Sequence, residues 1–292
     1  MHLPGDRILS LAALPLVMGV LNITPDSFSD GGLFAEPAAA VEHARRMIAA
    51  GADLLDLGAE STRPGGGVYG EGAETVAVAE ELRRLLPVLE AVRAETPLPI
   101  SVDTRKAEVA AAAFAAGADL VNDISLLSDP ELAASAADAG CPLIIMHSRG
   151  QLRTMQRRAR YDDLLGDVRR ELAEAVERAI ASGVDRRQIL IDPGIGFGKT
   201  ARQNAVLLRR LAELGEMGLP VVVGASRKSF IAQLAGDSPP DGRLGGSLAA
   251  VAAAERAGAA IVRVHDVGET VQFLRILRAV DSSADETGEA AP

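Results

Sequence analysis

The sequence predicts an α/β fold, a single (β/α)8 TIM barrel over residues 1–280, with its functional site at the carboxyl ends of the strands. Three observations lead there. Short, continuously apolar runs alternate with longer Ala- and Leu-rich segments of helical spacing, as parallel strands buried on both faces require. There are eight such runs, the number that closes a barrel rather than leaving an open, doubly wound sheet. Four strand entrances also repeat one joint, AAGADLLD, AAGADLVND, DAGCPLII and RAGAAIVRV, in which a glycine ends a helix just before a strand.

The first run, LVMGVLN (16–22), ends in Asn22 and opens into TPDSFSDGG, a loop of turn formers that carries Phe28 and Asp30. The second, LLDLGA (54–59), leads into ESTRPGG with Thr62, Arg63 and Pro64. The third, PISVDT (99–104), ends at Asp103, and the fourth, DLVND (119–123), at Asn122 and Asp123. The fifth, PLIIMHS (142–148), puts Met146 and His147 at its end, the latter a ligand-lining group or a satisfied core imidazole. The sixth, ILIDPG (189–194), carries Asp192 into DPGIGFGKT, read as a flexible loop whose Phe197 packs on a ligand face or anchors the loop. The seventh, PVVVGAS (220–226), runs into Ser226, Arg227, Lys228 and Ser229. The eighth, AIVRVHD (260–266), ends with Arg263, His265 and Asp266, and alternation turns Arg263 and His265 to the same side. Helical segments such as ETVAVAEELRRLLPVLEAVRAE and YDDLLGDVRRELAEAVERAIASG lie between the runs. The tail DSSADETGEAAP (281–292) is small, polar and acidic, a composition of disordered chain.

Bulk properties exclude several functions. A net charge of −10 argues against nucleic acid and anionic membranes as partners, so any anion must be held by a local cluster of cations. The single cysteine, Cys141, leaves no internal disulfide framework or thiolate zinc cluster and suits a reducing cytoplasm. The four histidines show no His-Glu-x-x-His spacing, which argues against a zinc hydrolase. The apolar stretch ILSLAALPLVMGVL is interrupted by Pro15 and lacks a basic flank, so it is read as part of the fold and not as a signal peptide. No run reaches the ~18 apolar residues of a membrane span. DPGIGFGKT looks like the end of a P-loop, but the motif's first glycine would fall at or near Asp192, with Pro193 intervening, so no nucleotide site is read there.

A single Asp or Asn after a strand is an ordinary cap or turn former. What points to a site is that nearly every strand end contributes a polar side chain to one rim. Asp103, Asn122 and Asp192 make an acceptor-rich arc, suited to a flat heterocycle with several N–H donors. Asn22, Thr62, Arg63, Arg227, Lys228, Arg263 and His265 make a donor-rich pole, suited to phosphate or diphosphate.

Taken in order, MGVLNITPDSFSDGG, GAESTRPGG, SVDTRKAEVA, VNDIS, DPGIGFGKT, GASRKSFI and VRVHDV closely resemble the motifs of the bacterial dihydropteroate synthase family of pterin-binding barrels. The resemblance runs from about Val17 to Val280. It implies a transferase of folate biosynthesis that joins p-aminobenzoate to 7,8-dihydropterin-6-ylmethyl diphosphate, giving 7,8-dihydropteroate and diphosphate. Carried over by position, it implies that Asp103, Asn122, Asp192 and Lys228 hold the pterin while Met146, Phe197 and Arg263 line its faces. Asp103, Asp192, Lys228 and Arg263 are then the catalytic set. Asn22, Thr62, Arg63, Arg263 and His265 would receive the diphosphate, with Mg2+ between Asn22 and its oxygens. Phe28, Thr62, Pro64, Lys228 and Ser229 would meet p-aminobenzoate, with Asp30 on the closing loop. The resemblance also implies a cytoplasmic homodimer and a target for sulfonamides. Small departures at Ala59, Ser148 and Ala225 leave every polar site residue in place. Two other readings share the acceptor arc: a corrinoid-linked methyltetrahydrofolate methyltransferase and a non-catalytic pterin-binding paralogue.

Overall fold

A computed structural model describes residues 1–11, 15–23, 32–60, 76–150 and 160–283 of the chain. Two short strands that the sequence reading did not mark come first, β1 (His2–Leu3) and β2 (Arg7–Ile8), paired antiparallel. The eight apolar runs follow as β3 (Leu16–Asn22), β4 (Leu54–Gly58), β5 (Ile100–Asp103), β6 (Leu120–Asp123), β7 (Leu143–Met146), β8 (Ile189–Asp192), β9 (Val222–Val223) and β10 (Ile261–Val264). They pair in the order β8-β7-β6-β5-β4-β3-β10-β9, all parallel, and a parallel bridge between Ile191 and Val221 closes the ring.

The helices are α1 (Gly32–Ala49), α2 (Val78–Glu95), α3 (Ala107–Ala115), α4 (Leu132–Ala139), α5 (Leu164–Ala181), α6 (Ala201–Arg209), α7 (Ala212–Gly215), α8 (Ser229–Ala235), α9 (Leu244–Arg256) and α10 (Val267–Ser282). On α5 the buried side chains are Leu165, Val168, Leu172, Ala175, Val176 and Ala179, one stripe at helical spacing. The glycines of the four repeated joints, Gly51, Gly117, Gly140 and Gly258, all have positive φ (96°, 100°, 63° and 75°), the left-handed exit that a side chain disfavours. Helix α10 continues to Ser282, two residues into the segment read as tail, and residues from 284 onward lie outside the described set.

Alternation along each strand builds two cores. Outward residues such as Leu57, Val102, Val121 and Ile145 pack against the helices. Inward residues near the strand starts, Met18, Leu54, Leu120, Ile144, Leu190 and Ile261, fill the amino-terminal half of the barrel. Leu3 and Leu9 of the N-terminal segment pack on this layer. The hairpin that carries them turns through Gly5 (φ 71°) and Asp6 (φ 58°), and Arg7 is ion-paired to the buried Asp119. The apolar-looking N-terminus is thus a plug for the floor of the barrel. Among the described residues no helix is long and apolar enough to cross a membrane.

Leu190 is fully buried in this floor. Leu190→Ala is expected to cost about 2–5 kcal/mol of stability, read as a lower midpoint in urea unfolding. An unchanged midpoint would mean that the floor is loosely packed.

Candidate active site

Period-two alternation decides what stands above the apolar floor. Two residues beyond Leu54, Leu120, Ile144, Leu190 and Ile261 come Asp56, Asn122, Met146, Asp192 and Arg263, and β5 adds Ser101 and Asp103. The carboxyl half of the barrel is therefore lined by charge, buried above hydrocarbon.

Arg263 organises that layer. Its Nε donates to Asp56 Oδ2 at 2.6 Å, and a terminal nitrogen donates to Asp103 Oδ2 at 2.9 Å. Asn122 Nδ2 also donates to Asp56 Oδ2, at 3.3 Å. Arg263, counted in the donor pole from sequence, thus gives Nε and one terminal nitrogen to two carboxylates, Asp103 of the acceptor arc and Asp56 beside it. Asp56 was missed because the sequence was read at the strand ends, and its one signal is a charge inside the run LLDLGA.

Among the described residues three buried oxygens here have no hydrogen-bond partner: Asp56 Oδ1, Ser101 Oγ and Asp103 Oδ1. Buried acceptors left unpaired are costly, and they mark where donors of a ligand would be received. Burial pushes the Asp103 carboxyl up to about 7, with Arg263 opposing and the Asp56 charge adding. Burial likewise lifts Asp192 to about 6, against a hydrogen bond from the Gly194 N–H and the charges of Lys228, Lys199 and Arg263.

Lys228 immediately precedes α8 and extends its Nζ to 3.9 Å from the centre of the Phe197 ring. Burial draws this ammonium down to about 8, helped by Arg263 and opposed by Asp192 and Asp103. Phe197 packs with Met146 and Ile124 in a small apolar patch on the same rim. The turn that delivers Lys228 is tightly held. Arg227 has φ 59° and is ion-paired to Asp266. Its N–H donates to Ser247 Oγ at 3.0 Å, and its carbonyl accepts from Arg243 at 2.8 Å. The Arg227 charge, counted in the donor pole from sequence, is thus matched within the fold.

His265 lies within reach of Ser226, Nδ1 to Oγ at 3.1 Å. Burial, together with Arg263, Arg227 and Lys228, depresses its imidazole to about 3, so it is neutral in the free protein. Ser229 is buried at the first position of α8, and Asn22 is exposed at the end of β3. Asp123 points away from the pocket and organises a turn, accepting from Ser125 N–H at 3.0 Å and Leu127 N–H at 2.6 Å. His147 is a satisfied core imidazole between Glu171 and Lys199. Phe28, Asp30, Thr62, Arg63 and Pro64 lie outside the described residues.

Residues 18–265 match the pterin binding enzyme family. A dihydropteroate synthase of Synechocystis sp. is 48% identical over 277 residues, covering 94% of this chain and 93% of that protein. This chain belongs to the pterin-binding enzymes, and within them to the dihydropteroate synthases. Two solved structures of the Xanthomonas albilineans dihydropteroate synthase superpose closely. The one with 4-aminobenzoic acid has a TM-score of 0.87 at 46% identity, covering 96% of this chain and 97% of that one. The one in complex with 7,8-dihydropteroate has a TM-score of 0.84 at 44% identity, covering 95% and 97%.

The buried carboxyls give this arrangement a direct signature. Carboxyl NMR titration is expected to show Asp103 and Asp192 with midpoints near 7 and 6. Arg263→Gln removes the charge that opposes protonation, so the Asp103 midpoint should rise further. Midpoints near the ordinary value of about 4 would contradict this description of the site.

Proposed function

We propose that this chain joins p-aminobenzoate to 7,8-dihydropterin-6-ylmethyl diphosphate, releasing 7,8-dihydropteroate and diphosphate, the reaction of its family. The observation that carries this reading is the Asp56–Arg263–Asp103 cluster, in which each carboxylate has an oxygen without a partner among the described residues. A flat, amino-substituted pterin ring presents N–H donors that such oxygens would accept. The relatives that hold 4-aminobenzoic acid and 7,8-dihydropteroate support the identity of the substrates.

In this reading Asp103, Asn122 and Asp192 take the ring edge, while Met146, Phe197, Lys228 and Arg263 line its faces. The C–O bond between the ring methylene and diphosphate breaks, and its electron pair leaves with the diphosphate. The electron-rich ring delocalises the resulting cation, and the negative charges of Asp103 and Asp192 stabilise it from fixed positions in a site of low dielectric. The amine lone pair of p-aminobenzoate then forms the C–N bond, and the nitrogen releases its proton to water. That step needs placement more than a strong base. Phe28, Thr62, Pro64, Lys228 and Ser229 would orient the amine, with Asp30 on the closing loop. Asn22, Thr62, Arg63, Arg263 and His265 would receive the diphosphate. An arriving anion also raises the affinity of the neutral His265 for a proton, so the imidazole gains charge where the leaving group gathers it.

The donor set fits Mg2+ brought largely by substrate. Among the described residues no group of three or more His, Cys, Asp or Glu could hold a metal, while the Asn22 amide is exposed at the rim. Mg2+ is satisfied by one protein oxygen together with phosphate oxygens and water, and bound there it would offset the charge of the leaving diphosphate. Homodimer formation and a cytoplasmic location complete the reading. Ile276 and Val280, 62% and 64% exposed one turn apart on α10, offer an apolar strip, and the buried Cys141 suits a reducing compartment.

The test is release of diphosphate by the purified chain with both substrates and Mg2+, which should require p-aminobenzoate. Asp103→Asn is expected to lower turnover about tenfold or more with its circular dichroism unchanged. No release from the unaltered chain, or near-native rates in Asp103→Asn, would overturn the assignment.

A further inference from the structure

The loop Gly194–Gly198 is held by a set of contacts that the proposed mechanism does not use. Lys199 is 2% exposed, and its Nζ stands 3.0 Å from each of three acceptors: the Gly194 carbonyl, the Phe197 carbonyl and His147 Nδ1. An ammonium has three N–H groups, and all three are spent here. Since His147 Nδ1 accepts, its ring proton sits on Nε2, which donates to Glu171 Oε2 at 3.0 Å.

Glu171 anchors the network to α5. Despite burial, hydrogen bonds from His147 and Arg149 hold its carboxyl down at about 2. Arg149 Nε donates to Glu171 at 3.0 Å, and its guanidinium lies 4.0 Å from the centre of the Tyr161 ring. The Tyr161 hydroxyl donates to the Gly198 carbonyl at 3.0 Å, a second tie to the same loop. Gly194, at φ 68°, passes so close to the strand end that a Cβ would overlap the His147 carbonyl. Gly196 donates its N–H to Asn204 Oδ1 at 2.8 Å. The segment read from sequence as a flexible loop is braced at both ends.

We propose that Lys199 is a positioning residue: by tying the Gly194 and Phe197 carbonyls to His147, it sets where the Phe197 ring meets Lys228 and the pterin. The role rests on the function proposed above. Without the ammonium, the Phe197 carbonyl and His147 Nδ1 lose this donor and the Gly194 carbonyl keeps only the Phe197 N–H at 3.1 Å, so the loop must shift to regain one. The shift would move Phe197, hence the ring-binding face, and reach the p-aminobenzoate side only through Lys228.

Lys199→Met keeps the length of the side chain and removes every donor. Steady-state kinetics should show KM for the dihydropterin diphosphate raised about tenfold or more, with kcat and KM for p-aminobenzoate changed by less than about threefold. Calorimetric titration with the same compound should show the matching loss of affinity. Lys199→Ala should regain part of its lost kcat/KM with added propylammonium, which can refill the vacated space and donate. Tetramethylammonium at equal ionic strength has no donor and should not rescue. Kinetics indistinguishable from the unaltered chain would overturn the proposal, as would equal damage to both substrates without amine rescue. An unaltered chain that neither binds nor turns over the diphosphate would overturn the functional assignment and this role with it.

Discussion

The guanidinium of Arg263 sits between the carboxylates of Asp56 and Asp103, and the polar layer of the barrel is arranged around that contact. Three buried acids and two half-buried bases above a hydrocarbon floor could not stand there singly. An uncompensated buried charge costs about 3–5 kcal/mol when its partner is removed. The fork of Arg263 takes one oxygen from each carboxylate and leaves the other without a partner among the described residues, so the cluster meets its own charge while keeping acceptors for a ligand. The fully apolar floor beneath supplies the low dielectric in which those oxygens attract strongly.

Rigidity comes from outside the layer. The turn at Arg227 is fixed by Asp266, Ser247 and Arg243, so Lys228 is delivered at one height. The opposite wall is fixed by the Lys199–His147–Glu171 contacts. Phe197 and Lys228 meet between these two braces. Preorganisation of this kind lets fixed charges act without reorganising as a cation develops.

Much of this was legible in the sequence. Continuous apolar runs and glycine joints gave the eight strands, because doubly buried parallel strands leave little other pattern open. The acceptor arc was readable because a polar residue at a strand's carboxyl end has few structural reasons to recur around a ring. The two-residue strands β1 and β2 were not readable, being shorter than any period. Asp56 was hidden inside a run that otherwise reads as core. The glycines of DPGIGFGKT suggested mobility, yet Gly194 reflects close approach to a strand end, a constraint that composition cannot express. Arg263 reads as a free cation until its neighbours across the barrel are known, and they lie on strands 160 and 207 residues away.

Arg263 is held by the carboxylates it bridges, so its proposed contacts with the pterin and the diphosphate depend on them. A double-mutant cycle on Asp56→Asn and Arg263→Gln, read as kcat/KM for the dihydropterin diphosphate, tests this directly. If the two side chains work as one unit, the double variant loses much less than the sum of the single losses, a coupling above about 1 kcal/mol. Additive losses would contradict the account.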